Sequence, residues 1–101
     1  MEKTPEKPRP LILETVKEYD RDLKREAKKR GAKIRKLHKV IELLRNRAPL
    51  PRSHNEHALK GDWKGFLECH VGGEGDWLLI YIRDAEKLTL FRTGTHEDLF
   101  V

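Results

Sequence analysis

The sequence predicts a small α+β domain in which one strand leads into a hairpin of two helices and then into a meander of three strands. Two observations carry this expectation. Apolar residues between positions 16 and 44 recur every three or four places, the period of a helix face, whereas beyond position 65 they alternate one by one, the period of a strand. The change of period straddles Ala48-Pro-Leu-Pro51, where Pro49 disfavours helical geometry at Ala48 and Pro51 repeats the interruption.

Taken in order, Pro5, Pro8 and Pro10 among charged neighbours predict a disordered arm over residues 1–9, leaving 10–101 as a single domain. Leu11-Ile-Leu-Glu-Thr-Val16 is apolar and β-branched enough for a short strand. Val16, Tyr19, Leu23 and Ala27 then mark one face of a helix, and Gly31 can close it with a left-handed cap. A second helix is predicted from about Ala32 to Arg47 on the stripe Ile34, Leu37, Ile41 and Leu44, with Val40 beside it. A long connection to about Lys64 follows. Connections of that length in a compact domain usually carry function, and this one holds His54, His57, Lys60 and Trp63.

The meander is expected over Gly65 to Val71, Trp77 to Arg83 and Lys87 to Thr93, with turns at Gly72-Gly-Glu-Gly75 and Asp84-Ala-Glu86. Strand alternation puts Phe66, Glu68 and His70 on one face and Leu67, Cys69 and Val71 on the other, so the apolar set should meet the helices. In the last strand a charge, Arg92, ends the row begun by Leu88 and Leu90.

Charge and cysteine content narrow the function classes. The chain of 101 residues carries a net charge of +5, but the halves differ: residues 1–50 hold 16 Lys or Arg against 8 Asp or Glu, and residues 51–101 hold 6 against 9. The densest basic run is Lys24, Arg25, Lys28, Lys29, Arg30, Lys33, Arg35 and Lys36, against the single acid Glu26. Such a block suits a polyanion or an acidic protein partner; its plain alternative is a solvated helix face. No apolar run reaches the roughly 18–20 residues of a membrane span, and a cytoplasmic protein without membrane attachment is expected. Cys69 stands alone, which excludes an internal disulfide framework and a Cys-x-x-Cys metal pair. Cys69 and its neighbour His70 point to opposite sides of a strand, so a metal site using both is geometrically poor, and no metal or other cofactor is expected.

Proton transfer is a better use for the histidines. RNA brings its own nucleophile, the ribose 2′-OH, so cleavage needs only a base, an acid and a group that steadies the phosphorane. His57, His70, Asp76 and His96 are the proton-handling candidates, Arg92 the phosphate clamp, and Trp77 and Phe100 the aromatic faces for bases. Each has a bland alternative: a surface histidine, a core aromatic, an aspartate that closes a turn. Spacing alone does not bring them together.

The segments Leu50-Pro51, Glu56-His-Ala-Leu-Lys-Gly-Asp-Trp-Lys-Gly-Phe66, Glu68-Cys-His70, Asp76-Trp-Leu-Leu-Ile-Tyr81 and Arg92-Thr-Gly-Thr-His-Glu-Asp-Leu-Phe100 occur in an order that resembles the YafQ family of RelE-type toxins over about residues 11–101. The resemblance implies a RelE-like fold in which the first strand completes a four-stranded antiparallel sheet. It further implies a ribosome-dependent endoribonuclease, the toxin of a bacterial type II toxin–antitoxin pair, which cuts mRNA in the ribosomal A site without a metal. His57, His70, Asp76 and His96 match the family's acid–base set and Arg92 its phosphate-contacting arginine. Trp77 and Phe100, with Lys60, Lys64 and Glu68, fall at substrate-binding positions. Glu68 stands where the family carries an aspartate, Ala58 replaces a usual proline, and the Gly72–Gly75 turn is longer than usual. The basic run would then contact ribosomal RNA, and a cognate antitoxin would form a hetero-oligomer with the domain. A catalytically silent regulator that binds RNA or antitoxin is the competing expectation.

Overall fold

The computed structural model describes residues 9–72 and 76–100. The expected order of strand, helical hairpin and meander is present, in a five-stranded sheet of order β1-β5-β4-β3-β2. Its strands are β1 (Ile12–Thr15), β2 (His57–Ala58), β3 (Leu67–His70), β4 (Leu78–Arg83) and β5 (Lys87–Gly94). The helices are α1 (Lys17–Arg30), α2 (Ile34–Arg45) and α3 (His96–Phe100). Among these helices none is long and apolar enough to cross a membrane. The expected disordered arm falls mostly on residues 1–8, which lie outside the described residues, as do 73–75 of the Gly72–Gly75 turn.

The sheet differs from the expected four antiparallel strands in two ways. β1 runs parallel to β5, with Leu13 opposite Leu88: the helical hairpin and the antiparallel strands β2 to β4 lie between them in the chain and together supply the long connection that a parallel pair requires. The fifth strand is the two-residue β2, inside the segment expected to be a loop, where His57 pairs with Glu68 and Ala58 with Leu67.

Alternation in β3 works as expected. Leu67, Cys69 and Val71 join Leu37, Val40, Ile41 and Leu44 of α2, and Tyr81, Leu88 and Leu90 of the sheet, in the main core. Burial pushes the Cys69 thiol up to about 12, so it behaves as a packing atom rather than a nucleophile. Accordingly, the native protein should resist alkylation by iodoacetamide at pH 8, and the thiol should react at once after unfolding in guanidinium; mass spectrometry of the native sample reads the difference.

The inner face of α1 departs from its apolar reading. Tyr19 is buried as expected and Leu23 partly so, but Ala27 is exposed and the remaining buried positions are Asp22 and Glu26. Gly31 closes α1 with φ +57° and ψ −129°, a left-handed φ with a ψ outside the ordinary left-handed cap, and the chain turns through Gly31–Lys33 directly into α2. The far end of α2 is tied to β1, where the Leu11 N–H donates to the Arg45 carbonyl at 2.8 Å and Arg45 Nε donates back to Leu11 at 3.2 Å.

A second, smaller core lies on the other face of the sheet. Leu78, Ile80 and Leu99 are buried there beneath Leu59, Trp63, Phe66 and Phe91. A bulge in β5 sets the register of this face. Ile80 pairs with Arg92 while Tyr81 pairs with Leu90, which leaves Phe91 as the extra residue. Without it, Arg92 would follow Leu88 and Leu90 toward the helices; with it, Arg92 joins the row of Ile80 and Glu68.

Candidate active site

One row of the sheet runs His57–Glu68–Ile80–Arg92 across β2, β3, β4 and β5, and the next runs His70–Leu78–Gly94. Residues paired across neighbouring strands share a face, as do residues two apart along one strand. The candidate residues His57, Glu68, His70 and Arg92 therefore lie on one face, which spacing alone left open.

Two of the imidazoles are oriented by carboxylates. His57 Nδ1 donates to the Asn55 carbonyl at 2.8 Å, and Nε2 lies 3.3 Å from Oε1 of the buried Glu68. Since Nδ1 already carries a proton, the Nε2–carboxylate contact holds one more between the two groups. The loop is fixed just before this point, where the Tyr81 hydroxyl donates to the Glu56 carboxylate and Arg83 Nη1 lies 3.3 Å from it. Burial, with Cys69 and Glu56 alongside, pushes the Tyr81 phenol far above its ordinary range against the opposing charge of Arg83, so it stays a donor. Glu68, expected at a substrate-binding position, lies buried against His57.

His96 Nδ1 donates to Asp76 Oδ1 at 2.5 Å, and the His96 backbone N–H donates to Asp76 Oδ2 at 2.7 Å. The carboxylate fixes ring and backbone together and leaves Nε2 unused by Asp76. Asp76 thus reaches the site although residues 73–75 before it lie outside the described residues. His70 sits between the two pairs, with its ring centroid 6.5 Å from that of His96.

The short helix that presents His96 was not expected, yet its signal is in the sequence. Thr95 Oγ1 accepts the Asp98 N–H at 3.1 Å and Asp98 Oδ2 accepts the Thr95 N–H at 3.1 Å, a reciprocal capping box in Thr95-His-Glu-Asp98. The Thr95 N–H holds the Asp98 carboxyl below its ordinary value of 3.8, helped by the Thr95 hydroxyl and by Arg25 and Lys29. A lowered folded-state value stabilises above the unfolded value and is lost as pH falls through the folded one. The cap should therefore hold at neutral pH and loosen only below about pH 4. Thr95→Ala should cost about 1 kcal/mol and lower the melting temperature by roughly 4–8 °C at pH 7, with a smaller difference at pH 3.

Aromatic side chains extend the site along this face. Edge-to-face contacts run from Phe100 to Trp63 (5.9 Å), Trp63 to Phe66 (5.0 Å) and Phe66 to Phe91 (4.7 Å), and the His96 ring lies 5.9 Å from Phe100. Phe100 is 41% exposed and presents an open aromatic surface. Trp77 does not, being 3% exposed on the helix side, with Nε1 donating to Thr93 Oγ1 at 3.0 Å and the Arg30 guanidinium 4.0 Å above its ring. Its indole has no open face for a base. Lys60 and Lys64 are exposed beside Trp63 in sequence.

Arg92 is held from below by α1. Its Nε donates to Asp22 Oδ2 at 2.6 Å and its Nη2 to Oδ1 at 3.2 Å. With Val16, Glu18, Trp63, Phe66 and Phe91, Arg92 lines an open groove of about 390 Å³. Two members of the basic run are also committed inward. Arg25 bonds Asp22, Glu26 and the Thr93 carbonyl, and Arg30 bonds Glu26 at 2.5 Å, so neither is a simple surface cation. The Glu26 and Asp22 bonds keep the Arg25 guanidinium charged, against the opposing effect of burial. Lys24, Lys28, Lys29, Lys33, Arg35 and Lys36 are exposed. Among the described residues no three His, Cys, Asp or Glu side chains converge as a metal site would require.

Residues 11–101 match the family described as the bacterial toxin of type II toxin–antitoxin system, YafQ. The mRNA interferase toxin YafQ of Escherichia coli K12 is 42% identical over 89 residues, which cover 87% of this chain and 94% of that protein. Among solved structures, YafQ from E. coli BL21(DE3) superposes with a TM-score of 0.81 at 37% identity, covering 90% of this chain and 99% of that one. The toxin–antitoxin complex of E. coli DinJ and YafQ gives 0.79 at 40% identity, covering 91% and 99%. With sequence and fold matched over nearly the whole domain, the chain belongs to the YafQ family of bacterial toxins of type II toxin–antitoxin systems.

Proposed function

We propose that the protein is an mRNA interferase, a ribosome-dependent endoribonuclease that cuts mRNA in the A site and is restrained by a cognate antitoxin. The observation that carries the reading is the grouping of His57–Glu68, His70 and Arg92 in adjacent rows of one sheet face, with Asp76–His96 at its border. In this reading the His70 imidazole takes the proton from the 2′-OH, Arg92 holds the phosphate oxygens, and His96 Nε2 protonates the departing 5′-oxygen. The product is a 2′,3′-cyclic phosphate, and no metal takes part. Phe100 and Trp63 offer faces for bases beside the cut.

The exposed lysines of α1 and the following turn, with Arg35 and Lys36 of α2, supply salt-sensitive affinity for ribosomal RNA phosphates. An antitoxin partner is supported by the DinJ complex of the E. coli relative. The test is expression of the chain with and without the small reading frame beside its gene, while 5′ ends of cellular mRNA are mapped. Growth arrest, rescue by the neighbour and new 5′ ends at codon positions are expected. Harmless expression with no new ends would favour the silent regulator.

A further inference from the structure

Asp22 is fully buried, yet it stands on a helix face that periodicity would fill with an apolar side chain. Both of its oxygens are used. Oδ2 accepts from Arg92 Nε at 2.6 Å and from the Thr93 N–H at 3.2 Å, and Oδ1 accepts from Arg25 Nη1 at 3.0 Å and from Arg92 Nη2 at 3.2 Å. Beside it, Glu26 is paired with both Arg25 and Arg30.

Charge counting separates docking from function in this cluster. Asp22 with Arg25 and Glu26 with Arg30 already balance two buried carboxylates with two guanidiniums, and the Thr93 N–H together with the Arg25–Thr93 bond already seats α1 on β5. Neutralising the acids does not call for Arg92. The exposed Asp98, 3.7 Å from Arg25, brings the count to three acids and three arginines, and Arg92 is the one of the three that also lines the groove with Trp63, Phe66 and Phe91. The geometry of the fork then matters. A carboxylate bound to Nε and Nη2 occupies one side of the guanidinium and leaves the Nη1–Nη2 edge with its hydrogens unused by Asp22. That edge suits two phosphate oxygens, and Arg92, whose side chain is 22% exposed, is held where solvent and substrate reach it.

We infer that Asp22 is a positioning residue for the cleavage reaction: from inside the domain it locks one side of the Arg92 guanidinium, so that the opposite edge meets the scissile phosphate already oriented. The inference rests on the proposed role of Arg92 as phosphate clamp. Without Asp22, the long arginine side chain samples several rotamers, and the phosphorane loses its prepared donor pair at the moment of reaction rather than on binding.

The test compares Asp22→Asn, Arg92→Ala and the double variant, each as the full chain, in cleavage of mRNA on programmed ribosomes. Asp22→Asn should lower the saturating rate about 10- to 100-fold while KM stays within about twofold. The double variant should be no slower than Arg92→Ala alone, since Asp22 acts through that side chain. Asp22→Asn at wild-type rate, or a further tenfold loss in the double variant, would overturn the inference. Full activity of Arg92→Ala would instead remove the clamp reading and this inference with it. Should Asp22→Asn lose its cooperative melt, the wild-type protein decides by NMR. The Arg92 Nε–H resonance, assigned by its absence in Arg92→Ala, should be sharp and slow to exchange; exchange as fast as that of free arginine would overturn the inference.

Discussion

Alanine at position 96 is expected to lower the rate of mRNA cleavage about 10²- to 10⁴-fold, the range spanned by loss of a positioned general acid or base. The fold should be indifferent. The His96 side chain is 56% exposed, and its backbone N–H, which donates to Asp76 Oδ2 at 2.7 Å, survives the substitution. Melting temperature should therefore change by no more than a few degrees while toxicity on expression disappears. Asp76→Asn should follow the same direction with a smaller loss, because the amide can still accept the Nδ1 proton but no longer stabilises the imidazolium. Undiminished growth arrest by His96→Ala would remove His96 from the reaction.

Trp77→Ala should also abolish toxicity, but through the fold. Truncating a buried tryptophan typically costs about 3–5 kcal/mol, and here it also strips Thr93 Oγ1 of its donor and the Arg30 guanidinium of its aromatic partner. For a domain of this size that corresponds to a loss of roughly 12 °C or more in melting temperature. Trp77→Phe keeps most of the apolar bulk and should fall between. The informative comparison is activity per folded molecule, measured below the melting point. A core role predicts near wild-type cleavage for Trp77→Phe, whereas a stacking role predicts a rate loss without a stability loss.

Much of this fold was legible because its elements follow short-range rules. Ile34, Leu37, Ile41 and Leu44 sit three and four apart, and in the structure Leu37, Val40, Ile41 and Leu44 are the buried side of α2. Leu67, Cys69 and Val71 alternate with Glu68 and His70, and that alternation separates core from site. The parts that were not legible depend on partners far along the chain. Asp22 and Glu26 look like solvent positions until Arg92, some seventy residues away, and Arg25 and Arg30 are seen to converge on them. The bulge at Phe91 has no residue signature, yet it decides which face Arg92 joins. A strand as short as His57–Ala58 gives no periodicity to read, although its pairing is what sets His57 against Glu68. The capping box at Thr95–Asp98 is the opposite case, a local pattern that was readable and marks the helix that carries His96.

These features assign each layer of the molecule a task in the proposed reaction. The sheet supplies the register that lines up three strands' worth of reactive groups, and the bulge admits Arg92 to them. The buried Asp22 carboxylate of α1 holds the end of β5 that carries Arg92 and Thr93. A basic exterior then brings the domain to RNA through phosphate contacts that carry no sequence information.

The central claim is that the protein cleaves RNA by acid–base use of the substrate's own 2′-OH. It is tested most directly with ribosomes programmed by a synthetic mRNA bearing a single 2′-deoxynucleotide immediately 5′ of the mapped cut, compared with the all-ribose message. The account predicts a 2′,3′-cyclic phosphate end on the all-ribose message and no cut at the deoxy position. Cleavage of the deoxy message at a comparable rate would contradict it.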